Sequence, residues 1–104
     1  MSEFHKVATT SEIADGEKLL VEADDQLAIL FRVGDDYYCL DDVCTHDGGT
    51  LSDGEFDGCQ IKCPRHGAEF DIKTGAATCM PATKPTKSHE VKVDGDDILV
   101  KIAE

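Results

Sequence analysis

The sequence predicts an all-β domain: a small antiparallel β-sandwich with a subdomain inserted into it. Three observations carry the prediction. Short apolar runs recur between Gly and Asp turns along the whole chain. Gly34-Asp35-Asp36 and Asp94-Gly95-Asp96 have the composition of tight hairpins. Val91 and Val93, then Ile98, Val100 and Ile102, alternate as half-buried antiparallel strands do.

The strands expected, in order, are Phe4–Val7, Lys18–Val21, Leu27–Val33, Tyr37–Leu40, Gln60–Lys62, Glu69–Ile72, His89–Val93 and Ile98–Ile102. No helical periodicity is present, and Thr10-Ser11-Glu12-Ile13 can open one turn at most. There is no internal repeat and no linker. A chain of 104 residues is one domain with room for one modest core. The expected division is functional. Residues 1–40 and 85–104 form the base sandwich, and residues 41–82 form the inserted unit.

The inserted stretch holds the chemistry. Cys44-Thr45-His46 and Cys63-Pro64-Arg65-His66 each supply one thiol and one imidazole, and sixteen residues separate them. A Cys and a His two or three residues apart can point the same way only from a tight loop. Gly48, Gly49 and Gly67 admit the backbone conformations such loops need. Pro64 and Pro81 stiffen the second loop and a third one. Free N–H groups in these loops can donate to metal-bound sulfur. Two Cys and two His suit either a [2Fe–2S] centre with His on one iron or a Cys₂His₂ zinc site. Zinc-finger pairs are usually Cys with Cys and His with His, whereas each pair here is mixed.

Written out, the boxes are Cys44-Thr45-His46-Asp47-Gly48-Gly49-Thr50-Leu51 and Cys63-Pro64-Arg65-His66-Gly67-Ala68-Glu69-Phe70-Asp71, with Thr74-Gly75 following and Met80-Pro81-Ala82 and Pro85 beyond. These residues resemble the Rieske family, over nearly the whole chain. The resemblance implies the Rieske fold, with two metal-binding loops at the tip of a β-domain and a proline-bearing loop over the cluster. It implies one [2Fe–2S] cluster per chain. Cys44 and Cys63 would hold the inner iron; His46 and His66 would hold the outer one and form the exit path for the electron. Leu51 and Pro81 would shield the cluster from water.

Departures from the family pattern narrow the reading. Rieske proteins of cytochrome complexes carry a further Cys in each box, joined as a disulfide. Gly49 and Arg65 stand at those places here. Those proteins also set a Ser and a Tyr hydroxyl beside the cluster, where this chain has Ala68 and Phe70. Fewer donors to sulfur disfavour the reduced cluster, so the potential belongs near the low end of the Rieske range, about −150 to +300 mV. The resemblance therefore points to the small Rieske ferredoxins of bacterial ring-hydroxylating dioxygenase systems. It implies one-electron transport from an NAD(P)H-dependent flavin reductase to a terminal oxygenase, with no catalysis by the chain alone. Two other readings compete: a small Rieske-like subunit of an assimilatory nitrite reductase, and a zinc-stabilised interaction module.

Composition sets the limits. The net charge of −12 argues against a nucleic-acid partner. No run approaches the ~18 apolar residues of a membrane span, and Met1–Lys6 lacks a signal-peptide core, so the expected compartment is the cytoplasm. Nothing calls for more than a monomer. Six of the ten cationic residues fall between Lys62 and Lys92. An acidic body with a mixed-charge tip of Asp42, Asp47 and Arg65 is expected. Cys39 reads as a core residue within Tyr37-Tyr38-Cys39-Leu40, while Cys59 and Cys79 lie nearer the boxes. His5 and His89 read as surface or packing histidines.

Overall fold

Ten strands and one short turn of 3₁₀ helix make up the fold in a computed structural model that describes residues 3–42, 51–52, 54–62, 69–79 and 86–103. In chain order they are β1 (Phe4–Thr9), the 3₁₀ turn (Thr10–Glu12), β2 (Lys18–Ala23), β3 (Gln26–Val33), β4 (Asp36–Asp41), β5 (Glu55–Asp57), β6 (Gln60–Lys62), β7 (Glu69–Asp71), β8 (Ala77–Cys79), β9 (Ser88–Asp94) and β10 (Asp97–Lys101). All pairings are antiparallel, and they form two sheets. One has six strands in the order β1-β10-β9-β4-β3-β2; the other has four, β5-β6-β7-β8. The edge strands β1 and β2 of the larger sheet touch, so that sheet curls around its own interior.

Side-chain period two in β3 decides how the sheets pack. Ala28 and Leu30 face the inside of the curled sheet, where Ile13, Val21, Cys39, Ile98 and Val100 join them. Ile29 and Phe31 face the other way and meet Leu51, Ile61, Phe70 and Ile72 of the smaller-sheet region. β4 divides likewise, with Cys39 in the first core and Leu40 in the second. β3 is therefore buried on both faces, which explains its nearly continuous apolar run. Phe31 also meets Phe56 edge to face, with ring centroids 5.0 Å apart.

Two-residue loops close four of the hairpins. Gly34, Gly58 and Gly95 take positive φ at the first position of the β3–β4, β5–β6 and β9–β10 loops. The β2–β3 loop is Asp24-Asp25, with φ of 51° and 62°. Both centre residues are thus left-handed, as a type I′ turn demands. Arg32 holds the 3₁₀ turn against β3, donating from Nη1 to the carbonyl of Ile13 at 2.9 Å.

Eight of the ten strands fall where the sequence places them, with ends shifted by one or two residues. β5 and β8 are additions. Each has three residues.

Candidate metal centre

Cys44, His46, Cys63 and His66 lie outside the described residues, as do Asp47, Arg65, Ala68, Met80, Pro81 and Pro85. The described residues give the stems of the three segments that carry them: 43–50, 63–68 and 80–85.

The first segment leaves β4 after Asp41-Asp42 and rejoins the described chain at Leu51. Asp42 closes it. One carboxylate oxygen accepts from the N–H groups of Leu51 and Ser52, both at 2.8 Å, and the other accepts from the Ser52 hydroxyl at 3.2 Å. This is a side chain standing in for backbone turn bonds, a familiar role for Asp at the mouth of a loop. The second segment is the loop between β6 and β7, where Lys62 and Glu69 are paired across the ladder. The third follows β8 and ends at Thr86, whose N–H donates to the carbonyl of Gly75 at 2.8 Å.

The stems are joined to one another in a ring. The exit of the first segment meets the entrance of the second at Gly54: its N–H donates to the Leu51 carbonyl at 2.9 Å, and a Cβ there would overlap the carbonyl oxygen of Lys62. The exit of the second meets the entrance of the third, because Glu69 pairs with Cys79. The exit of the third meets the entrance of the first, because the Asp41 N–H donates to the Lys87 carbonyl at 2.9 Å. Gly75, at φ +80°, seats against the Thr86 carbonyl with no space for a side chain. The six ends of the three segments are thus linked to one another.

Cys63 directly follows Lys62, and Cys44 is two residues beyond Asp42. The donor set and the ring together fit a cluster held between two loops. Among the described residues no group of three or more His, Cys, Asp or Glu side chains could hold a metal.

Several side chains around the stems have definite roles. Leu51 is buried in the second core. Phe70, one residue past the second segment's exit, is buried there too and carries no hydroxyl. Cys39 is buried, and its thiol is pushed up to about 12 by burial and, secondarily, by the charge of Asp41. It is a packing residue, as the sequence indicates. Cys39 and Cys59 are free thiols.

Asp42 departs from its expected place on a charged rim. It is only 7% exposed, because its carboxylate turns inward to satisfy the loop N–H groups. The stem clamp of Asp42 and the close approaches at Gly54 and Gly75 are not among the features expected from the sequence. An Asp just before a Gly-rich loop is a usable signal for the first. Nothing local marks the other two. The outer face of the small sheet, turned away from Phe56, Ile61 and Phe70, carries the row Glu55, Lys62, Glu69 and the row Asp57, Gln60, Asp71.

The two sheets, the ring of stems and the paired Cys/His boxes define a Rieske-type iron–sulfur protein, and the chain belongs to the Rieske [2Fe-2S] domain family, which it matches over residues 3–100. Among curated relatives it is 37% identical over 95 residues to the 3-phenylpropionate/cinnamic acid dioxygenase ferredoxin subunit of Escherichia coli strain K12. The match covers 90% of this chain and 89% of that protein. Among solved structures it is similar to the ferredoxin of carbazole 1,9a-dioxygenase from Nocardioides aromaticivorans IC177, with TM-score 0.89, 33% identity and coverage of 93% and 95%. A ferredoxin chain matching at TM-score 0.88, 34% identity and 97% coverage of both chains comes from a complex of reduced oxygenase and oxidized ferredoxin in carbazole 1,9a-dioxygenase.

Proposed function

We propose that this chain is the ferredoxin component of a multicomponent oxygenase system, taking single electrons from an NAD(P)H-dependent flavin reductase and delivering them to a terminal oxygenase. The observation that carries the reading is the ring of linked stems under two Cys/His boxes, in a chain whose relatives over nearly its full length are dioxygenase ferredoxins. These relatives favour the carrier over the nitrite reductase subunit and the zinc module. The oxygenase partner is supported by the related ferredoxin solved in complex with its oxygenase.

Cys44 and Cys63 would hold one iron of a [2Fe–2S] cluster, and His46 and His66 the other. When bound, the cluster supplies one-electron chemistry. The chain's own part is to hold the ligand loops at one end, through Asp42, Gly54, Gly75 and the Lys62–Glu69 pair. The smaller sheet and its loops, within residues 41–82, form the cluster-binding unit; residues 1–40 and 85–104 form the base. The division is supported by β5–β8 making a sheet of their own.

A low potential is supported by Phe70, whose buried ring offers no hydroxyl to the cluster. No described helix is long and apolar enough to cross a membrane. We place the protein in the cytoplasm as a monomer, where NAD(P)H is at hand.

A relay assay tests the function. NADH oxidation is followed with the flavin reductase and oxygenase components of a ring-hydroxylating dioxygenase, with its substrate present and its own ferredoxin left out. Turnover should depend on added chain and vanish with Cys63→Ser. Turnover equally fast without the chain, or no electron uptake by the loaded chain from any such reductase, would contradict the carrier role.

A further inference from the structure

His89 is a buried titratable side chain that the proposed electron transfer does not use. It stands in β9 directly across from Cys39 of β4, and its side chain has no solvent exposure. Burying an imidazole is costly unless its nitrogens are satisfied, and here both are. The N–H of Ala103 donates to Nδ1 at 2.9 Å, so Nδ1 carries no proton. In the neutral ring the proton therefore sits on Nε2, which donates to Oδ1 of Asp41 at 2.5 Å. The tautomer is assigned from these partners.

Asp41 is the last residue of β4 and lies three positions before Cys44. Its N–H is bound to the Lys87 carbonyl and its carboxylate to His89, both on the segment that follows the third loop. Two bonds from one residue to one neighbouring segment fix orientation as well as position. The next residue, Asp42, then clamps the loop shut. A run of hydrogen bonds thus leads from Ala103 through His89 and Asp41 to the mouth of the loop that carries Cys44 and His46.

We infer that His89 is a positioning residue for the ligand pair Cys44 and His46, acting through Asp41. A cluster site must hold its ligands to about 0.5 Å, and the residues behind the ligands set that precision. The bond that satisfies the buried Nε2 also holds the Asp41 carboxylate, and with it the last residue of β4 before the segment that carries Cys44 and His46. The inference rests on the reading that Cys44 and His46 bind the cluster.

Two substitutions separate the bonds that His89 makes. In His89→Asn the amide oxygen falls near the place of Nδ1, keeping the Ala103 bond but stopping short of Asp41. In His89→Gln the amide nitrogen falls near the place of Nε2, keeping the Asp41 bond. The readouts are the rate of cluster loss to a chelator, the reduction potential, and the EPR g-values of the loaded, reduced protein. His89→Asn should lose its cluster roughly tenfold faster, the low end of what a missing ligand-orienting partner costs, with a shifted potential and shifted g-values. His89→Gln should stay close to wild type in all three. Asp41→Ala removes the same bond from the other side, carries the same expectation as His89→Asn, and stands in for it if that variant does not fold. A lower melting temperature with unchanged cluster loss, potential and g-values in His89→Asn and Asp41→Ala would overturn the inference. Wild-type protein that binds no [2Fe–2S] cluster would overturn it together with the ligand reading, a result seen before any variant is made.

Discussion

Asp42 shows how much of the site rests on residues that are not ligands. Its carboxylate accepts three hydrogen bonds from Leu51 and Ser52, two of them from backbone N–H groups. Leaving buried donors unpaired costs about 1–3 kcal/mol each. Asp42→Ala should therefore lower stability by about 2–4 kcal/mol, measured by denaturant titration, and the loaded protein should lose its cluster faster. Asp42→Asn, which keeps an acceptor oxygen, should be milder in both. An Asp42→Ala protein as stable as wild type would show that the clamp is incidental. The candidate ligands could be read at this scale because Cys and His two or three residues apart form a local pattern. Asp42 was legible as a charge but not as a clamp, since its partners lie nine and ten residues away. The His89–Asp41 bond spans 48 positions, and no local pattern marks it.

At the scale of elements, six of the eight legible strands have five residues or more and present an apolar–polar pattern or, in β3, an apolar run buried on both faces. β5 and β8 were not legible. Glu55-Phe56-Asp57 repeats the tripeptide of β7 without the apolar Ile72 that follows it there, and Ala77-Thr78-Cys79 reads as readily as loop. Their strand character comes from pairing with neighbours, which composition does not encode. The hairpins at Gly34 and Gly95 are legible from their turn residues, whereas Asp24-Asp25 gives a weaker signal. That loop puts two adjacent carboxylates in left-handed conformations at φ 51° and 62°. Left-handed backbone costs an ordinary residue about 1–2 kcal/mol, and Asp somewhat less. Replacing Asp24-Asp25 by Asn-Gly, the preferred I′ pair, should stabilise the protein by about 1 kcal/mol and raise its melting temperature by roughly 4–8 °C. The potential should not change. A fall in melting temperature would mean that one of these carboxylates makes a compensating interaction.

For the whole molecule, the topology turns an electron carrier into a simple mechanical problem. The six-stranded sheet wraps one core, and the four-stranded sheet closes a second against β3 and β4. The sequence conveyed the class, the boxes and their family resemblance. It did not convey that six loop ends are tied into one ring, because each tie joins residues far apart in the chain. A net charge of −12 favours solubility in a body of this size.

The most direct test of the central claim is the EPR and visible spectrum of the purified protein, oxidised and then reduced with dithionite, together with its His66→Cys variant. A histidine-ligated [2Fe–2S] cluster predicts a red-brown protein, a rhombic reduced signal of low average g, and a potential in His66→Cys that falls towards ~ −400 mV, the range of all-cysteine plant-type clusters. A colourless, zinc-loaded protein after anaerobic preparation, or an intact cluster whose potential is unchanged by His66→Cys, would contradict it.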